Sequence, residues 1–139
     1  MRVYCDSSAL IKRSVQEAES EAVEAAVERH VSQDAVIVSS SLAWVEVSRA
    51  LRSQLDYGSE SEDDIRDATE AALSGVAERL ITEEVVGLAR RVAPPRLRSL
   101  DAIHLATAIL LDVDEVLAYD ERLIEACRHS GLTTVSPGR

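Results

Sequence analysis

The feature that most constrains the fold is a set of short apolar runs, each ending on polar residues and passing into a helix-like stretch. Residues 3–5 run into Asp6-Ser7-Ser8, residues 35–38 into Ser39-Ser40-Ser41, and residues 116–119 into Asp120. A fourth run, residues 132–135, follows Gly131. Short, fully apolar runs bounded in this way read as buried strands. Helical spacing begins near Ser8, Ser41 and Glu121, and covers residues 17–30, 60–75, 82–92 and 99–111. Strands alternating with helices imply an α/β layer fold around a parallel sheet. In such sheets ligands collect outside the carboxyl ends of the strands, where the strand order reverses. Asp6 and Asp120 fall at strand ends of that kind.

The chain has 139 residues, 46% of them apolar, enough to fill the core of one domain spanning residues 1–139. Phe is absent and aromatic residues make up 3%, so the core is built from Leu, Val, Ile and Ala. That composition disfavours a stacking platform for nucleic-acid bases. A formal net charge of −10 argues against a broad electrostatic grip on a phosphate backbone. Any nucleic acid is then held locally, where a divalent cation on carboxylates reverses the field.

The longest apolar run, around residues 102–111, is interrupted by His104 and too short to span a bilayer. The first residues lack a leader pattern, and the expectation is a cytoplasmic protein with no membrane contact. Cys5 and Cys127 form neither a CxxC pair nor a disulfide framework. They are expected to be reduced and packed.

Four acids stand out, and each has an ordinary explanation. Asp6 and Asp120 stand where helix caps belong. Asp101 lies in the first turn of a helix starting near Ser99, where helix polarity favours a negative charge. Glu46 sits within or beside an apolar helix face, with Ala43 three before it, Ala50 four after it and Val45 and Val47 on either side, where a carboxylate needs a partner or a proton. Arg49 or Arg52 turning back supplies one such partner; exposure to solvent is the other simple solution. Taken as a set, four acids on four elements converging on one sheet end suit a hard cation. Mg2+ and Mn2+ take a few carboxylate oxygens and leave other positions to water and phosphate.

At this point the residues resemble a known family. The blocks are Val3-Tyr4-Cys5-Asp6-Ser7-Ser8-Ala9-Leu10-Ile11-Lys12, Glu46 in a helix, Leu100-Asp101-Ala102-Ile103-His104-Leu105-Ala106-Thr107-Ala108, and Tyr119-Asp120-Glu121-Arg122-Leu123. They look like those of PIN-domain proteins of the VapC toxin group, in the family's order and over essentially the whole chain. The resemblance implies that Asp6, Glu46, Asp101 and Asp120 form an acidic metal-binding quartet for Mg2+ or Mn2+. Ser7 or Ser8 matches a small hydroxyl residue beside the first acid, and Lys12 a basic residue common there. It further implies a sheet of about four or five parallel strands flanked by helices. Endoribonuclease activity, a homodimer and inhibition by a cognate VapB-like antitoxin are implied in the same way. One departure is Ala118, where the family usually carries Thr or Ser two residues before the last acid.

His104 is expected to be a packed residue with a satisfied hydrogen bond rather than a general base, and His30 and His129 are read as polar helix-end residues. Arg90, Arg91, Arg96 and Arg98 flank the Pro94-Pro95 pair, either as solvated surface or as guides for a phosphate backbone. Trp44, Val47, Leu51 and Leu55 make a helical stripe, either core or dimer surface.

Two other functions compete. A phosphate hydrolase of the haloacid-dehalogenase type, with Asp6 as nucleophile, requires a second Asp two residues on, and Ser8 stands there. A non-catalytic PIN-like module binding an antitoxin or scaffold partner is kept open by Ala118 and by the negative charge.

Overall fold

The structure, a computed structural model, describes residues 1–54 and 62–139. In chain order the elements are β1 (Arg2–Cys5), α1 (Ser7–Ile11), α2 (Ser20–Ser32), β2 (Val36–Ser40), α3 (Ser41–Gln54) and α4 (Glu62–Ala72). Then follow β3 (Val76–Arg79), α5 (Glu83–Ala89), α6 (Ser99–Leu110), β4 (Glu115–Leu117), α7 (Glu121–His129) and β5 (Thr134–Val135). The five strands form one sheet in the order β3-β2-β1-β4-β5, and every neighbouring pair is parallel.

That order has a direct consequence for function. The chain builds outward from β1 through β2 to β3, then crosses back to lay β4 on the other side of β1. The strand order therefore reverses between β1 and β4, which opens a crevice at their carboxyl ends.

The central strands read as continuous apolar runs because helices cover both faces. Val3, Cys5, Ile37 and Leu117 join a core with Leu10, Val23, Val47 and Leu51 from α1, α2 and α3. Tyr4, Val38 and Val116 face the opposite way, against Leu105 of α6 and Leu123 and Cys127 of α7. Alternate residues of a strand point to opposite faces, so one short strand contributes to both cores.

Several expectations change here. β3 was not anticipated: Val-Ala-Glu-Arg is an edge strand with half-buried and exposed positions, so it lacks the apolar signal of a buried strand. β5 is shorter than residues 132–135, and residues 118–119 lie beyond β4. His30 lies in the last turn of α2 but is buried rather than solvated; its Nε2 lies 3.0 Å from Glu115 Oε1, and among the described residues its Nδ1 has no partner. Val47 and Leu51 are core and Trp44 packs against them; Leu55 falls outside the described residues. Cys5 and Cys127 are buried and free, as expected. Burial pushes both thiols up to about 12. Among the described residues no helix is long and apolar enough to cross a membrane.

Candidate functional site

Asp6 leaves β1 with its backbone N–H donated to the Leu117 carbonyl of β4, at 3.1 Å. It is thereby fixed at the switch between the two strands. Its Oδ1 accepts from the Ala9 N–H at 3.1 Å and the Ser8 hydroxyl at 2.7 Å. The residue is 4% exposed, and among the described residues it has no cationic partner. Burial pushes its carboxyl up to about 6, against the lowering influence of His104 and the two hydrogen bonds, with the Asp120 charge adding to the rise.

Asp120 follows β4 and caps α7, its Oδ1 accepting from the N–H groups of Arg122 and Leu123 at 3.0 and 3.1 Å. Capping and a ligand role are therefore compatible. Each cap uses Oδ1, and among the described residues Oδ2 of Asp6 and of Asp120 makes no bond.

Ser8 ties these two strand ends together. Its hydroxyl donates to Asp6 and accepts from the Tyr119 N–H at 2.9 Å. Ala118 is fully buried, and its carbonyl accepts from the Ser136 hydroxyl. The hydroxyl shared by the two strand ends is thus supplied by Ser8.

Glu46 enters from α3. Its Oε1 accepts from the Ser7 hydroxyl at 2.6 Å and from His104 Nε2 at 2.5 Å. Neither Arg49 nor Arg52 is its partner; Arg52 pairs with Glu62. Burial pushes the Glu46 carboxyl up, but the bonds from His104 and Ser7 outweigh it, and the group lies below the usual carboxylate range.

His104 is 3% exposed and links three elements. Its Nδ1 lies 2.6 Å from the Tyr4 hydroxyl, and that hydroxyl accepts the Ser40 N–H at 3.2 Å. A carboxylate only accepts, so Nε2 donates to Glu46, and Nδ1 shares the other bond with the Tyr4 hydroxyl. The expectation of a packed, satisfied histidine holds. Its position beside Glu46 was not foreseen. The available signal was complementarity: a carboxylate on an apolar face needs a donor, and His104 carries one inside the apolar helix α6.

Asp101 is half-buried in the first turn of α6. Burial raises its carboxyl, with the charges of Asp120 and Glu46 adding to the rise and those of His104 and Arg98 opposing it. Electrostatic interactions therefore connect all four acids: Asp6 with Asp120, Asp120 with Asp101, and Asp101 with Glu46. The structure brings Asp6, Glu46, Asp101, Asp120, Ser7 and Ser8 into one region. Lys12 is engaged elsewhere. Its ammonium pairs with Glu17 and Glu19 and sits 4.5 Å over the Tyr119 ring.

Among the described residues no three carboxylate, imidazole or thiolate groups form a ready-made metal cage. The donor set fits an ion that keeps much of its water and takes oxygen ligands, which is the habit of Mg2+. It also fits a site where a buried anion, Asp6, has no counter-ion of its own.

Residues 3–129 match the PIN domain family. The chain is 39% identical to Ribonuclease VapC46 of Mycobacterium tuberculosis (strain ATCC 25618 / H37Rv), covering 97% of both proteins. It is 36% identical to Ribonuclease VapC47 of Mycobacterium tuberculosis (strain CDC 1551 / Oshkosh), covering 98% of this chain and 97% of the relative. Among solved structures it resembles VapBC2 of Rickettsia felis, bound to a DNA fragment from their promoter, with a TM-score of 0.75 at 11% identity over 97% of this chain and 98% of that one. It also resembles Mycobacterium tuberculosis VapC20, a sarcin-ricin loop cleaving toxin, with a TM-score of 0.70 at 15% identity over 97% of this chain and 99% of that one. These two likenesses concern the fold.

Proposed function

The chain belongs to the PIN domain family, and from that premise we propose that it is a metal-dependent endoribonuclease, the toxin of a VapBC-like toxin–antitoxin pair. In this reading residues 1–139 act as one PIN domain in the cytoplasm, as a homodimer restrained by a VapB-like antitoxin. Asp6, Glu46, Asp101 and Asp120 hold Mg2+ or Mn2+. The observation that carries the reading is electrostatic: Asp6 is buried without an ion-pair partner among the described residues, and the charge of Asp120 raises the carboxyls of both Asp6 and Asp101, with Glu46 adding to the rise at Asp101. Two ribonuclease relatives that align along nearly the whole chain support the substrate class.

A divalent ion supplies the positive charge that a phosphodiester's oxygens need as they gain negative charge during hydrolysis. The chain's own residues supply the rigidity. Ser8 and the Ala9 N–H fix one oxygen of Asp6, and His104 and Ser7 fix one oxygen of Glu46. The strand end that carries Asp6 and the helices that carry Ser7, Ser8, Glu46 and His104 leave little freedom for reorganisation, which is how a site stabilises developing charge at low cost.

The reading is tested by incubating the purified protein with RNA in Mn2+, in Mg2+ and in EDTA. Cleavage is expected with metal, none in EDTA, and a loss of about a hundredfold or more for Asp6→Asn or Asp101→Asn, the scale of removing a key electrostatic group. Equal cleavage in EDTA contradicts the metal. RNA left whole in Mn2+ by a protein that still captures an antitoxin favours the non-catalytic module, the reading that Ala118 keeps open.

A further inference from the structure

Residues 85–100 contain Arg90, Arg91, Arg96 and Arg98 and no acidic residue, in a chain with 25 Asp and Glu against 15 Lys and Arg. Elsewhere Arg13, Arg52, Arg66 and Arg139 each pair with a carboxylate, and the other arginines without an ion pair among the described residues are scattered along the chain. Among the described residues Arg90, Arg96 and Arg98 have no ion pair, and Arg91 bonds only the Gly87 carbonyl. In so acidic a protein, a local group of unpaired guanidiniums is a distinct electrostatic feature.

Arg90, Arg91 and Arg96 line two adjoining recesses, and Arg98 stands next in the chain to Leu97 and Ser99 of their walls. A cleft of about 400 Å³ lies between the end of α5 and the start of α6, with Arg90, Arg91, Pro94 and Ala102 in its wall. A second recess, of about 360 Å³, shares Pro94 and Leu97 with the first and adds Arg96, Arg122 and Glu125. Each recess is walled in part by a helix that begins at one of the acids, α6 with Asp101 in its first turn and α7 capped by Asp120. Ala102 follows Asp101 in α6, the Arg98 charge acts on Asp101, and Arg122 lies in the α7 turn that Asp120 caps.

We propose that this arginine-lined cleft binds the phosphate backbone of single-stranded RNA and leads a phosphodiester to the four acids. The proposal rests on the nuclease reading and adds the means by which a protein of net charge −10 holds its substrate. Guanidinium forks match phosphate oxygens in pairs. Contacts to phosphate set the strand's position without reading its bases, and neither recess has an aromatic side chain on which a base could stack. An acidic peptide offers similar charge. The Arg98 charge acting on Asp101, an acid to which a phosphodiester has to come, favours RNA.

The test is fluorescence anisotropy of a labelled single-stranded oligoribonucleotide with the full chain in EDTA. It compares the unaltered protein, an Arg90→Gln/Arg96→Gln/Arg98→Gln variant, and an Arg29→Gln/Arg49→Gln control on exposed faces of α2 and α3. The triple variant is expected to bind about tenfold more weakly near 0.1 M salt. Its plot of log affinity against log salt should be shallower by about 2, at about 0.7 per lost phosphate contact. The control should match the unaltered protein. Unchanged affinity in the triple variant, or an equal loss in the control, overturns the cleft as an RNA site. Arginine-dependent binding by a protein that fails to cut RNA in Mn2+ supports the cleft while refuting the nuclease reading. Arginine-dependent capture of a poly-glutamate peptide, with RNA affinity indifferent to the arginines, assigns the cleft to an acidic protein segment and overturns the proposal.

Discussion

At the scale of single residues, the main tension is at Asp6. A carboxyl moved from water into a nearly closed site favours its neutral form, and here burial brings it up to about 6. A group whose folded-state pKa is raised contributes stability that is complete below its unfolded value. That contribution is lost as the pH rises through the folded value. The metal-free protein therefore loses stability between about pH 4 and pH 7 from this group, on the order of 2–3 kcal/mol for a shift of about two units. Asp6→Asn keeps the oxygen that accepts from Ala9 and Ser8 and removes the charge. In EDTA the variant is expected to be the more stable protein at pH 7.5, with the two converging near pH 4. Urea unfolding across that range checks it, and a constant difference between the two proteins contradicts the sign. The position of Asp6 was legible in the sequence because a strand end is a local pattern. Its Ser8 bridge to Tyr119 was not, because it joins residues 111 positions apart.

At the scale of elements, His104 holds β1, α3 and α6 together through Tyr4 and Glu46. His104→Ala leaves a half-buried carboxylate short of a donor, a buried tyrosine hydroxyl without its ring partner, and a cavity between them. The expected cost is about 2–4 kcal/mol of unfolding free energy, the range for orphaned buried polar groups together with lost packing. Chemical denaturation in EDTA measures it; a change below about 0.5 kcal/mol, usual for a surface substitution, shows that the clamp is not structural. The same scale explains what the sequence made readable. β1, β2 and β4 are covered on both faces and carry uninterrupted apolar runs, so they were evident. β3 pairs through its backbone with residues 37–40 of β2 and buries little side chain, which leaves no periodic signal. The partner of Glu46 was not legible for a related reason. Arg49 and Arg52 are neighbours along the helix, whereas His104 arrives from an element 58 residues away.

At the scale of the whole molecule, strand order decides the site. Laying β4 on the far side of β1 places Asp6 and Asp120 at one crevice, and α3 and α6 deliver Glu46 and Asp101 to it. Composition alone pointed away from nucleic acid, because net charge averages over a surface on which Arg90, Arg91, Arg96 and Arg98 stand together with no acid among residues 85–100. The central claim is that the four acids hold divalent metal. Mn2+ titration followed by electron paramagnetic resonance, on the unaltered chain and on Asp6→Asn, Glu46→Gln, Asp101→Asn and Asp120→Asn, tests it most directly. The account expects the unaltered chain to take up Mn2+ and every variant to bind it about tenfold or more weakly, the scale of losing a group that supports a metal site. An unaltered chain that leaves Mn2+ free in solution, or variants that bind as well as it does, contradicts the account.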